Sequence, residues 1–157
     1  MKYTRLTKEQ LEELHPEFIN FLATQSITAE EWTHIKEKKP EVAEQEIDVF
    51  SDLVWEGVLN RASYLENISP QQFFLFKLGE NEMTVIVIKS MDETIDITTP
   101  AGYQWLQQNY SGDQVEFFTA TKSYTGERNT DVFTLINQGA IITKGEVYSF
   151  FQKILDA

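Results

Sequence analysis

The hydrophobic pattern changes period once along the chain, close to Arg61. Before that point apolar residues recur at helical spacing; after it they alternate or cluster in strand-sized groups. Thr7-Lys8-Glu9-Gln10 reads as a capping box, with Leu11 and Leu14 on one face of the helix it opens. Pro16 breaks or restarts that helix, and Phe18, Phe21, Leu22 and Gln25 carry the spacing onward. Thr28-Ala29-Glu30-Glu31 is a second capping box, starting a short helix with Trp32 and Ile35. Lys36, Lys38 and Lys39 gather at its end, where cations suit the helix dipole. Pro40 suits the first turn of the longest helix, which runs to Arg61 with Ala43, Ile47, Phe50, Val54 and Val58 in one stripe.

Beyond Arg61 the pattern predicts strands over Phe73 to Leu78 and Met83 to Lys89, joined by a turn at Gly79 to Glu82. Thr94-Ile95-Asp96-Ile97-Thr98 alternates and predicts a third strand. Thr99 then caps a helix from Pro100 to about Asn109. A turn at Ser111 to Asp113 leads into a strand from Val115 to about Tyr124. The turn at Gly126 to Asn129 is expected to return the chain as a strand through Val132 to Ile136. A short strand over Ala140 to Ile142 follows. Thr143-Lys144-Gly145-Glu146 reads as a third capping box, opening a helix from Val147 to Leu155.

An offset of 45 residues superposes Ile97-Thr98 on Ile142-Thr143, Tyr103 on Tyr148, Gln107 on Gln152 and Phe73 on Phe118. The C-terminal half is therefore a candidate tandem repeat of hairpin, strand and helix. The pattern as a whole predicts an α+β fold: N-terminal helices plus an antiparallel sheet of about five or six strands with helices packed on it. A single domain over 1–157 is expected, with a helical layer at 1–61 and the sheet with two helices at 62–157. The long acidic helix is expected to lie against the sheet.

Composition narrows the function classes. Hydrophobic residues make up 41% of the 157, with eleven Phe, which argues for a folded core rather than disorder. No apolar run approaches the ~20 residues of a membrane helix, and the N-terminus has no secretory apolar core. The absence of cysteine excludes disulfides, thiolate zinc sites and cysteine nucleophiles. Formal net charge is −12, with 7 basic and 14 acidic residues in 1–70 and 6 and 11 in the remainder. A field of that sign repels nucleic-acid phosphates and anionic lipid, so neither nucleic acid nor membrane is expected as a partner. It favours basic protein partners or cations, while solubility alone is the simpler reading of the acidity.

The candidate chemistry concentrates on the long helix. Glu41, Glu44, Asp48, Asp52 and Glu56 form an acidic ridge, the last four at i, i+4 spacing. Such a ridge is a solvated face, a surface for a basic partner, or part of a metal site. Carboxylates strung along one helix converge poorly on an ion, so no metal ligands or cofactor are assigned. Trp55 and Leu59 point toward the acidic side, while Val42, Val49 and Leu53 widen the apolar flank. The C-terminal half of the helix is thus expected to be covered on two sides, with Gly57 allowing close approach. Glu44, Asp48, Asp52, Trp55, Glu56 and Leu59 form the candidate interaction surface.

His15 and His34 have acidic neighbours but lack metal-ligand spacing and read as surface or cap residues. Glycine-rich phosphate loops, His-Glu-x-x-His and Gly-x-Ser-x-Gly are absent. Three functional readings follow. The first is a non-catalytic protein-interaction module, binding a partner or forming a homodimer. The second is a carboxylate-based enzyme or small-ligand binder, with or without a divalent metal. The third is a nucleic-acid mimic that blocks a basic site. The opening MKYTRLTKEQLEELHPEFINFLATQSITAEEW, followed by VFSDLVWEGVL and SYLEN, resembles a family of small uncharacterised bacterial proteins of Bacteroidetes type, a domain of unknown function. The resemblance covers mainly the first sixty-five residues. It implies a bacterial cytoplasmic protein and carries no functional residue.

Overall fold

A computed structural model describes residues 1–157. The chain forms two compact units, Met1–Asn60 and Arg61–Ala157. The division falls at the end of the long helix, where the sequence changes period.

The first unit is helical. It contains α1 (Lys8–Glu13), α2 (His15–Thr24), α3 (Ala29–Lys38) and α4, which begins at Pro40 and extends to Arg61. Thr7 and Gln10 close the expected capping box on α1, and the Thr28 hydroxyl accepts from the Glu31 amide to cap α3. Leu14 separates α1 from α2, whose first turn holds Pro16, so the proline restarts a helix where its missing N–H costs nothing. Ser26 takes the left-handed conformation at φ 60°. The Ser26 and Ile27 amides donate there to Ala23 and Leu22, reversing the chain between α2 and α3.

Phe18 sits at the centre of this unit. Its ring lies 5.1 Å from Trp32 and 5.0 Å from Phe50, both edge-on. Leu6, Leu22 and Ala43 complete the buried core, and Ile47, Val54 and Trp55 pack against it half-buried. The apolar stripe of α4 is therefore used as its spacing predicts from Ala43 to Val54. Its other flank is open: Val49 and Leu53 are 52% and 56% exposed. The second covering layer expected for the C-terminal half of the helix does not reach those two residues, while Leu59 is completely buried.

The second unit is a sheet with helices. Its strands are β1 (Tyr64–Ser69), β2 (Gln72–Leu78), β3 (Glu82–Ser90), β4 (Val115–Ser123) and β5 (Ile141–Thr143). Its helices are α5 (Pro100–Asn109), α6 (Arg128–Asn137) and α7 (Glu146–Asp156). The strands pair antiparallel in the order β4-β3-β2-β1-β5. The α+β class with a five-stranded antiparallel sheet is as the sequence pattern predicts. On one face Phe73, Leu75, Ile86 and Ile88 form a buried cluster with Leu106 of α5 and Tyr148 and Phe151 of α7. The opposite face carries Phe74, Phe76, Val85, Val87, Phe118 and Ala120, by the strand alternation.

The two glycines in the closest contacts are Gly102 and Gly145. A Cβ at Gly102 would stand 1.7 Å from the Asp96 carbonyl oxygen, so α5 seats on the preceding turn only through glycine. Gly145, at φ +79°, lies against the Tyr64 ring, where a Cβ would fall 2.4 Å from the nearest ring carbon.

Several expectations are corrected. Thr94 to Thr98 is not a strand but two successive turns. The Asp92 carboxylate accepts from the Thr94 amide and hydroxyl, and Asp96 does the same for Thr98. The alternation there came from two Asp-x-Thr turns that offer the backbone a local alternative to a ladder. Val132 to Ile136 belongs to a helix, α6, not to a returning strand. The apolar run there fits either period, and local hydrogen bonds decide. Asp131 accepts from the Thr125 amide and hydroxyl, while Arg128 donates to the Gly79 and Ala62 carbonyls. Tyr64–Ser69 is a strand that the pattern did not predict, because Glu66 and Asn67 interrupt its apolar alternation. The third capping box does not form: Gly145 caps α7, and the Thr143 hydroxyl accepts instead from the Gly145 amide. The tandem repeat fails at its second hairpin, since β4 is followed by α6 rather than by a pairing strand.

Candidate functional site

The acidic ridge of α4 is occupied by the chain's own N-terminal segment. Asp52 accepts from the backbone amides of Lys2 and Tyr3 at 2.7 and 2.9 Å. Glu56, one turn on, accepts from the Tyr3 hydroxyl at 2.5 Å and pairs with the Lys2 ammonium at 3.5 Å. Asp48, one turn back, pairs with the Arg5 guanidinium at 2.6 Å. Ser51, fully buried, accepts from the Leu6 amide at 3.0 Å and donates to the Ile47 carbonyl at 2.7 Å. Residues 2–6 therefore run along α4 as an extended strap whose donors match the one-turn spacing of the carboxylates.

This arrangement perturbs three groups. Burial, reinforced by the hydrogen bond to Glu56, pushes the Tyr3 hydroxyl up to about 12. The Arg5 guanidinium hydrogen-bonded to Asp48 holds that carboxyl below the usual aspartate value, and the same bond raises Arg5. Of the candidate interaction residues, Glu44, Asp48, Asp52 and Glu56 share the ridge, Trp55 is half-buried against the helical core, and Leu59 is buried. No three His, Asp or Glu side chains are grouped so as to hold a metal ion. His15 and His34 are both exposed. No helix is long and apolar enough to cross a membrane.

The other unit exposes a surface of a different kind. Phe74 lies opposite Val87, and Val87 opposite Phe118, so the three form a ladder across β2, β3 and β4. Phe74 and Phe118 are 37% and 55% exposed. Beside the ladder a cavity of about 460 Å³ is lined by Phe76, Met83, Val85, Lys122 and Leu135. The ladder ends on β4, which is an edge strand of nine residues, exposed from Phe118 to Ser123. The opposite edge, β5, has only three residues. On the helix-covered face Glu66 lines a smaller cavity of about 260 Å³ with Phe73, Ile97 and Tyr103. Burial, then the nearby Glu146 charge, raises its carboxyl above the usual value.

Sequence reasoning missed the strap, because backbone amides of an extended segment leave no trace in composition. It also missed the open edge, since Val115 to Ser123 reads as a strand whether or not both sides are paired. The surplus of ridge carboxylates over local cations was the one available signal that donors had to come from elsewhere.

No curated protein and no solved structure matches the chain. A family model matches residues 1–156, well beyond the sixty-five residues on which the resemblance rests. The chain belongs to that family, DUF6495, a family of unknown function.

Proposed function

We propose that the chain is a non-catalytic protein-interaction module of the bacterial cytoplasm, and that its docking surface is the Phe74–Val87–Phe118 ladder with the adjoining edge of β4. The observation that carries this reading is the pair of exposed phenylalanines aligned through Val87 and ending on a strand whose outer edge is unpaired. Contiguous apolar residues left in water at a sheet edge mark a contact surface, because both apolar area and backbone groups are satisfied by an incoming chain. The acidic ridge is less suited to the role. A basic partner would have to displace Lys2, Tyr3 and Arg5 from Asp48, Asp52 and Glu56 before gaining those carboxylates.

A photo-cross-linking side chain at Phe118, with Glu80 as the control position, tests this in cells expressing the full chain. A defined protein adduct at 118 and none at 80 is the expected result. Equal, weak labelling at both positions would remove the basis for the reading.

A further inference from the structure

The outer edge of β4 is a long row of exposed backbone groups with a fixed alternation. Across the β3–β4 ladder the Met91 amide donates to the Gln114 carbonyl, which sets the alternation of the strand. Even-numbered residues from Gln114 to Lys122 direct their backbone groups to β3, so Phe117, Thr119 and Thr121 direct theirs outward. No helix closes this edge: a cleft of about 510 Å³ separates Thr119 and Thr121 from Tyr148, Gln152 and Leu155 of α7.

Suppose a second β4 lies antiparallel beside the first with Thr119 facing its own copy. Phe117 then faces Thr121 of the other molecule, and every outward amide meets an outward carbonyl. In the same register Glu116 and Lys122, each three residues from Thr119, face one another across the junction, twice by symmetry. These charges sit at the more closely spaced, non-hydrogen-bonded positions, where opposite charges stabilise and like charges destabilise. Phe118 faces Ala120 of the other copy and lies diagonal to its Phe118, extending the apolar ladder across the two-fold axis.

We infer that a second copy of this chain is the occupant of the edge, and that two sheets join through β4 in the register centred on Thr119 to form a continuous ten-stranded sheet. This deepens the interaction reading and rests on it. One term opposes the assembly: each copy carries a net charge of −12. Its long-range part is screened at physiological salt, where the Debye length is ~8 Å, while the apposed pairs are in contact. A two-fold, self-complementary interface is also the commonest symmetry for soluble oligomers.

Sedimentation velocity of the full chain over a concentration series at physiological salt tests the register. The wild type is expected to dimerise. Thr119→Pro removes an outward amide without touching the β3 ladder and is expected to abolish the dimer. Glu116→Lys places Lys opposite Lys, and Lys122→Glu places Glu opposite Glu; each is expected to weaken the dimer by about tenfold or more. An equimolar mixture of those two variants juxtaposes opposite charges at both positions and is expected to dimerise again. Unchanged far-UV spectra, and melting curves that match the wild type's at concentrations where it is monomeric, exclude misfolding as the cause. A wild type that stays monomeric throughout, or a dimer indifferent to all three substitutions, overturns the inference. If the chain is monomeric yet position 118 cross-links a different protein, the interaction reading stands and the second copy falls. If position 118 cross-links nothing, both fall.

Discussion

The acidic side of α4 and the outer edge of β4 both present rows of polar groups at regular spacing, and they meet opposite ends. On α4 the groups are side-chain carboxylates one turn apart, and residues 2–6 of the same chain supply amides, a hydroxyl, an ammonium and a guanidinium to them. On β4 the groups are backbone amides and carbonyls at every second residue, open to water and matched in spacing by another strand in register. A ridge of like charge looks reactive but is tolerated because residues 2–6 bring matching donors to it. In the proposed reading a plain-looking strand, Val115–Ser123, is the better docking edge, because its outward groups are fixed in a line.

The largest test of this contrast compares two hydroxyls. Ser51→Ala leaves the Leu6 amide without its buried acceptor and is expected to cost about 1–3 kcal/mol in chemical denaturation. Thr119→Ala, on the exposed edge, is expected to stay within about 0.5 kcal/mol. A Ser51→Ala protein as stable as wild type would mean that residues 2–6 do not brace α4.

A smaller effect should appear at high pH. The Tyr3 hydroxyl is raised from 10.0 to about 12 in the folded chain. Its contribution to stability is therefore complete below pH 10 and is lost as the pH rises through about 12. The stability of wild type relative to Tyr3→Phe should fall between pH 10 and about 12; parallel melting curves across that range would show that the hydroxyl is neither buried nor bonded to Glu56 in solution.

The smallest effect belongs to Asp48, whose carboxyl is lowered from 3.8 mainly by the hydrogen bond from Arg5. Its contribution is present above the unfolded value and lost as the pH falls through the lower folded one. The stability gap between wild type and Arg5→Ala should thus close with acidification below pH 3.8, and should also shrink in high salt because the pair is exposed. A gap that persists unchanged under both conditions would point to packing of the Arg5 stem instead.

Local chemistry carried much of the fold. The caps at Thr7, Thr28 and Thr99 and the restart at Pro16 depend on hydrogen bonds within four residues, and all appear where their spacing puts them. The α4 stripe and the central hairpin of β2 and β3 were legible because an apolar face of one period has one way to be buried. Errors arose where two local solutions compete. Asp92 and Asp96 chose side-chain turns over a strand, and Val132 to Ile136 chose a helix once Asp131 and Arg128 were engaged.

Tertiary structure alone decided the rest. Whether a carboxylate on α4 faces water, an ion or the Tyr3 amide depends on where a segment some fifty residues away in sequence is laid down. Whether Val115–Ser123 is a central or an edge strand depends on the strand order, which no residue in it encodes. Sequence by itself determined the N-terminal helices, the central hairpin, the charge and the helical core of this chain, because those follow from periodicity and short-range bonds. Which polar groups are bonded within the chain, and which face water at an edge, is set by long-range placement that periodicity does not report.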